Sequence, residues 1–209
     1  MIPQTVAVQM LRRIRYRTDG MWIMAFLLGS SLAGISAGII PWLTGLLGFG
    51  IPLTLCFGWN SSAERQGLRR FCSRHTGAQT QLAMAETLIP AGTGALAASL
   101  AALAGETIPW QFWLVLPLTS IIAAALMLFL QSVLPGGATA LLGLYWLWSF
   151  IGLAGEAVGI TVLLVPVYPA MVMAQKSGAP HSDGFVALSA ALAGGMMYLL
   201  LRRNLKSTF

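Results

Sequence analysis

The residues whose types could support catalysis are few and scattered. Gly34 to Gly38 spell G-x-S-x-G with Ser36 at the centre, which is a serine-hydrolase pattern. That pattern needs a sharp strand-to-helix turn and a histidine base. Here it lies within an apolar stretch, and neither His75 nor His181 is placed to serve it. We interpret these small residues as a surface for close helix packing in lipid.

The remaining inventory argues against an enzyme. Cys56 and Cys72 fit no metal or redox motif, and a disulfide is not expected on a cytoplasmic side. No phosphate loop of the form G-x-x-x-x-G-K-[ST] occurs, so the chain cannot hydrolyse ATP alone. Intramembrane proteases and lipid-modifying enzymes need paired Asp, Ser with His, or His clusters. We therefore predict no catalytic residue, no metal and no cofactor bound by this chain.

The composition predicts an all-α membrane protein. The 209 residues are 57% hydrophobic and only 9% charged, whereas soluble domains are about 25% charged. A membrane-spanning helix needs about 20 apolar residues, and the chain has room for about six such helices. They form a single transmembrane domain over residues 1–209. The predicted spans are 21–39, 43–58, 87–105, 110–130, 138–153 and 185–201.

The segments between these spans carry their own predictions. Pro41 is expected to end the first span in a short outer turn over 40–42. Pro90 predicts a kinked entry into the third span, and 132–138 reads as a tight inner turn. Residues 154–184 are too many for a turn and too apolar for an exposed loop, so two short re-entrant outer helices are expected there.

Residues 3–17 predict an amphipathic helix at the membrane interface. Val6, Met10 and Ile14 recur every four residues and form an apolar stripe. The arginines cover much of the remaining surface, where they can meet lipid phosphates. The alternative is a frayed basic tail that only fixes topology. The arginines of this interfacial helix are Arg12, Arg13, Arg15 and Arg17.

Residues 59–86 form a polar island between the second and third spans. Its arginines cannot sit in lipid, so it must face water. With both termini on the same side as the island, only Lys176 of the twelve Lys and Arg residues lies opposite. The positive-inside rule then places both termini and the island in the cytoplasm. The same rule explains the net charge of +6 without nucleic acid, which is not expected as a partner.

The island resembles the coupling segment of ABC exporter permeases of the second export class, the ABC-2 family. Glu64 and Arg65 precede Gly67, as a charged pair precedes a Gly-Thr that opens a short coupling helix in that family. The spacing is kept, but three residue types depart from the pattern. Leu68 stands where Thr is usual, Thr76 where Pro is usual, and Glu86 where Lys is usual.

The resemblance extends to the architecture and implies a function. The interfacial helix, six spans, two outer helices and the closing Arg202-Arg203 are similar to the family's. It implies the permease subunit of an exporter in a bacterial cytoplasmic membrane, moving a hydrophobic or amphipathic cargo. A separate ATPase subunit, in two copies, would hold the ATP and Mg, and a second permease copy or similar permease would complete the path. The implied ATPase-docking residues are Glu64, Arg65, Gly67, Arg69, Arg70 and Arg74.

Other readings remain open at this point. The island's arginines are also explained if they only hold the loop inside and contact lipid headgroups. Glu156 is either a carboxylate at membrane depth on the cargo path or gate, or a cap of the first outer helix. A substrate-capture subunit of a vitamin-type importer has a similar number of spans, but it would need no basic coupling helix. A membrane enzyme is the third alternative.

Overall fold

Every element that the structure describes is an α-helix. The computed structural model describes residues 2–16, 40–60, 63–73, 76–103, 110–134, 136–140, 142–144 and 182–206. The all-α prediction is confirmed for this part of the chain. The short stretches 136–140 and 142–144 are helical as well. The longer helices are α1 (Ile2–Tyr16), α2 (Ile40–Asn60), α3 (Ala63–Cys72), α4 (Thr76–Leu103), α5 (Trp110–Val133) and α6 (Ser182–Lys206).

Helix α5 is the centre of the bundle. Its side chains are buried on most of its circumference, including Val115, Leu116 and Met127. The run Ala123–Ala125 is fully buried, and such small residues let neighbouring helices approach closely. Helices α2, α4 and α6 pack around α5, and α2 also packs along α4. The shorter α1 and α3 both pack on α4.

Side-chain hydrogen bonds fix the relative directions of the three central helices. Ser120 of α5 reaches Gly48 of α2, and eleven residues later Gln131 reaches Phe57. Helices α2 and α5 therefore run the same way. Going along α2 from Gly48 to Cys56, the α4 neighbour changes from Ala98 back to Glu86, so α4 runs oppositely. This up-and-down order is the one expected of consecutive spans.

A neutral contact between α2, α4 and α5, the proline junction, consists of Gly48, Pro52, Gly94 and Ser120. Pro52 lies inside α2 and has no backbone N–H to donate to the carbonyl four residues earlier, that of Gly48. The buried Ser120 hydroxyl donates to that carbonyl oxygen at 2.6 Å. The donor that the proline removes from α2 is therefore replaced from α5, which keeps the buried carbonyl satisfied.

Gly94 is the point at which α4 comes closest to Pro52. A Cβ built on Gly94 would lie 2.5 Å from both Cγ and Cδ of Pro52 and 3.1 Å from the Gly48 carbonyl oxygen. Because the proline ring is rigid and the oxygen belongs to the backbone, no side-chain rotation relieves these contacts. Only glycine allows the two helices to pack at this distance.

A second proline repeats the arrangement one helical turn before Gly94 in α4. Pro90 lies inside α4 and leaves the carbonyl of Glu86 without its regular helical donor. The buried Cys56 thiol of α2 donates to this oxygen, with a sulfur–oxygen distance of 3.7 Å. A thiol is a weak donor, but it is small and tolerates apolar surroundings. Cys56 therefore has a structural role that its position in the sequence did not indicate.

Several predicted boundaries differ from the observed ones. Pro41 was expected to lie in an outer turn, but α2 already begins at Ile40. In the first turn of a helix the missing N–H of proline would be unpaired anyway, so Pro41 starts the helix. Helix α4, which contains the start of the predicted third span at residue 87, begins at Thr76 and continues through Pro90 without a break. Of the predicted turn 132–138, residues 132–133 and 136–138 are helical.

Helix α1 uses its predicted apolar stripe differently from the expectation. Val6 and Met10 are buried, but they pack in a cluster with Trp59 and Leu82 of the bundle. The prediction that this stripe faces the membrane surface is therefore wrong for these two side chains. The opposite face of α1, with Leu11 and Arg12, is exposed.

One helix within the described part of the chain is long and apolar enough to cross a membrane. It is the stretch Trp113–Val133 of α5. Shorter apolar helical stretches lie in α2, over Leu47–Trp59, and in α6, over Ala190–Arg202. The predicted first span 21–39, most of the fifth span and most of the outer segment 154–184 lie outside the described residues.

Candidate functional site

Helix α3 is the described element that carries the predicted docking residues. Glu64 lies in its first turn, and Arg69 and Arg70 lie in its last turn. Both placements complement the helix dipole, which favours acids at the start and bases at the end. Ser73 closes the helix, since its N–H donates to the Arg69 carbonyl and its hydroxyl to the Arg70 carbonyl, both at 2.8 Å.

The two faces of α3 differ sharply in exposure. Arg65 and Cys72, seven residues apart and so on the same side of the helix, are buried against the bundle. Phe71 is 68% exposed, although large aromatic side chains are more often buried. Arg69 and Arg70 are exposed beside it. These three consecutive residues are spread over more than half of the helix circumference, and we call this exposed surface the α3 face.

On its buried side, α3 is hydrogen-bonded to a carboxylate of α4. Nε of Arg65 donates to Oε1 of Glu86 at 2.6 Å, and its Nη2 donates to Oε2 at 2.8 Å. Nε1 of Trp59, at the end of α2, donates to Oε1 at 3.0 Å. The pair is bidentate, a geometry that gives direction as well as attraction. We call Trp59, Arg65 and Glu86 the Glu86 clasp.

The clasp is buried deeply enough for its charges to depend on each other. Arg65 is 4% exposed, Glu86 is 1% exposed and Trp59 is 1% exposed. Removing two ions from water is costly, and the attraction between them offsets this only when the geometry is good and the other hydrogen-bonding sites are filled. Here both carboxylate oxygens accept hydrogen bonds from Arg65, and one also accepts from Trp59. A carboxylate so occupied holds structure and is poorly placed for acid–base catalysis.

An apolar cluster surrounds the clasp and includes α1. Val6 and Met10 of α1, Cys72 of α3 and Leu82 of α4 are buried together against Trp59. Burial raises the pKa of the Cys72 thiol above its ordinary value, and the negative charge of Glu86 raises it further. A thiol in this state is a packing group and a slow nucleophile.

Electrostatics on the α3 face are linked to the clasp below it. Partial burial, followed by repulsion from Arg65, lowers the pKa of Arg69, while Glu86 opposes the shift. An arginine stays charged through any such shift at neutral pH. The α3 face is therefore basic, and its positive charge is not neutralised by the Glu86 carboxylate, which is committed to Arg65.

The predicted site residues separate into three groups. Arg69, Arg70 and Gly67 are exposed on α3, and Glu64 is half-buried with a polar partner of its own. Arg65 was predicted to face an ATPase, but it points inward to Glu86. Of the interfacial arginines, Arg12 is exposed on α1. The side chains of Arg13, Arg15, Arg17 and Arg74, and all of Glu156, lie outside the described residues.

Sequence reasoning missed the roles of Glu86 and Trp59. Glu86 was noted only as a departure from the lysine usual in the resembling family. Its signal was available, since an acid at the start of an apolar stretch needs a neutralising partner. The described part of the chain contains no group of three His, Cys, Asp or Glu able to hold a metal ion. No family model, curated protein or solved structure matches the chain.

Proposed function

We propose that this chain is the membrane-spanning permease subunit of an ATP-driven exporter, and that α3 is its coupling helix. The observation that supports this most strongly is the construction of α3. It is a short helix with one basic, exposed face and one face anchored by a buried ion pair to a long bundle helix. A surface held this rigidly is suited to transmitting a push from a partner.

The α3 face favours a partner with a cleft of defined chemistry. The exposed ring of Phe71 offers an apolar anchor, and aromatic residues are typical anchors of protein interfaces. Arg69 and Arg70 beside it suit acidic groups on the rim of such a cleft. An ATPase subunit that closes on ATP and Mg would grip this helix and move it as a rigid body. Two ATPase copies and a second permease copy, or a similar permease, complete the machine.

The proposal places the chain in a bacterial cytoplasmic membrane with six spans and both termini inside. Support comes from the alternating directions of α2, α4 and α5, and from the apolar length of Trp113–Val133. In this arrangement α3 lies on the cytoplasmic side, where the positive-inside rule puts its arginines. The largely apolar bundle surfaces suit a hydrophobic or amphipathic cargo.

The decisive experiment is purification with a C-terminal tag from native membranes, followed by mass spectrometry and an ATP hydrolysis assay. We expect a phosphate-loop ATPase in near-equal amount and measurable turnover. The double variant Arg69→Glu/Arg70→Glu should release it, because the charges that face the partner are reversed. The matched control is Gln4→Glu, because Gln4 is exposed on α1 and lies outside α3.

The opposite results would be informative. Purification of the chain alone, carrying a tightly bound small molecule, would overturn the exporter and favour a substrate-capture subunit of a vitamin-type importer. An ATPase that stays bound to the Arg69→Glu/Arg70→Glu variant would keep the exporter but remove the α3 face as its docking site.

A further inference from the structure

Glu86 is contacted through both its side chain and its backbone by neighbouring helices. Its carboxylate accepts from Trp59 of α2 and Arg65 of α3. Its carbonyl oxygen, freed by Pro90, accepts from Cys56 of α2. A single residue of α4 is therefore tied to two other helices by four donated hydrogen bonds, counting both from Arg65.

The bidentate pair fixes the orientation of α3, which the connecting residues alone do not fix. Residues 61–62 and 74–75 join α3 to α2 and α4, which keeps α3 close to the bundle but sets neither its rotation nor its tilt. A planar guanidinium bound to both carboxylate oxygens fixes a direction as well as a distance. Because Cys72 is buried on the side of α3 that faces away from the exposed arginines, rotation of α3 would also expose the apolar cluster.

We propose that Glu86 is the positioning residue through which movement of α3 enters the bundle, the Glu86 clasp holding the end of α2, α3 and α4 together as one body, with α1 packed against it. The claim that α3 transmits movement rests on the proposed function. The claim that the ion pair holds the helices together does not, because it concerns this chain alone. Glu86 acts through Arg65 and touches neither nucleotide nor cargo.

Native Cys72 can report whether the clasp is closed, once the other cysteine of the chain, Cys56, is replaced. Both are free and fully buried, and Cys72 lies in the apolar cluster under α3. In a Cys56→Ser background, where a hydroxyl replaces the thiol donor to Glu86, only Cys72 can react with a maleimide. The reaction is followed with the purified chain in lipid nanodiscs, so both sides are accessible and no ATPase is needed.

Opening the clasp should make Cys72 reactive. We expect Arg65→Met and Glu86→Gln each to raise the labelling rate roughly tenfold or more, since local opening controls access to a buried group. The charge-swapped pair Arg65→Glu/Glu86→Arg should return the rate toward that of the parent. Gln66→Met, the exposed neighbour of Arg65, is the matched control and should leave the rate unchanged.

Any one of three results would overturn this proposal. They are unchanged labelling in both single variants, a charge swap that labels as fast as the singles, and a control that labels as fast as Arg65→Met. If the single variants fail to accumulate, Trp59→Phe keeps the ion pair and removes one donor. Slightly faster labelling in Trp59→Phe, together with parental labelling in the charge swap, supports the proposal, and unchanged labelling in Trp59→Phe overturns it.

A second measurement separates positioning from simple folding support. In the complex with its ATPase, Glu86→Gln should retain ATP hydrolysis and lose most cargo movement, because α3 still binds the partner but no longer drives α4. The charge swap should restore cargo movement. Equal loss of hydrolysis and transport, with no rescue, would reduce Glu86 to a structural residue. Absence of any ATPase would defeat the proposed function while leaving the labelling result intact.

Discussion

The proline junction and the Glu86 clasp both bury polar atoms where α2 meets α4, but they do so by different physics. At the junction, the Ser120 hydroxyl donates to the one carbonyl that Pro52 leaves without a helical donor. At the clasp, a full positive and a full negative charge face each other out of water. The junction replaces a missing helical donor and joins three helices side by side. The clasp adds a fourth element, α3, whose helix would be complete without it.

This difference sets what each region tolerates. A neutral hydrogen bond contributes about 1 kcal/mol net, so loss of the junction's bond weakens the bundle only moderately. A buried ion pair adds little over an apolar pair of similar volume, yet losing one partner leaves a bare charge and costs several times more. The clasp is therefore a device for specifying the orientation of α3 more than for raising stability.

The largest expected effect is at the clasp. Arg65→Met and Glu86→Met should each lower the free energy of unfolding by about 3–5 kcal/mol, because the remaining charge is buried without its partner. The double variant Arg65→Met/Glu86→Met should recover most of that loss. Equilibrium unfolding in mixed detergent micelles measures all four proteins. Additive losses in the double variant would contradict a mutually dependent pair.

A smaller effect is expected where α4 approaches Pro52. Gly94→Ala should destabilise the protein by about 1–3 kcal/mol, because the added methyl overlaps the proline ring and the helices must separate. Gly92→Ala is the matched control, since it is exposed on the same helix with nothing within 4 Å. The control should be neutral or gain up to about 1 kcal/mol from higher helix propensity. Equal unfolding midpoints for the two variants would contradict the close approach.

The smallest effect tests whether Ser120 serves the proline. Ser120→Ala should cost about 1–2 kcal/mol by leaving the Gly48 carbonyl buried and unpaired. Pro52→Ala returns an N–H to that carbonyl, so in this background the same serine substitution should cost little. Thermal unfolding of the single and double variants gives the comparison. A serine effect of equal size in both backgrounds would show that the hydroxyl acts independently of Pro52.

The helices themselves follow largely from residue patterns. The basic amphipathic pattern near the start of the sequence predicted a helix over nearly the residues of α1. Apolar length and small residues located the cores of α2, α5 and α6 within a few residues. These features are local, because helix formation depends on neighbours three and four residues apart.

The contacts between helices could not be predicted from these local patterns. Glu64 and Arg65 are adjacent in the sequence, but only the rotation of α3 on α4 decides which of them faces inward. Arg65 was grouped with the exposed arginines because its partner lies twenty-one residues away, beyond any helical periodicity. Val6 and Met10 were correctly identified as an apolar face, yet the same pattern suits lipid and protein equally well.

The two proline–donor pairs carry a consequence for how this sequence can diverge. A relative that replaces Pro52 regains a helical N–H, so it no longer needs a hydroxyl at the position of Ser120. Pro90 and Cys56 are related in the same way, across α4 and α2. We expect each pair to change together among descendants of this chain, leaving correlated substitutions at distant positions. Such correlations would mark the bundle in sequences too different to align by eye.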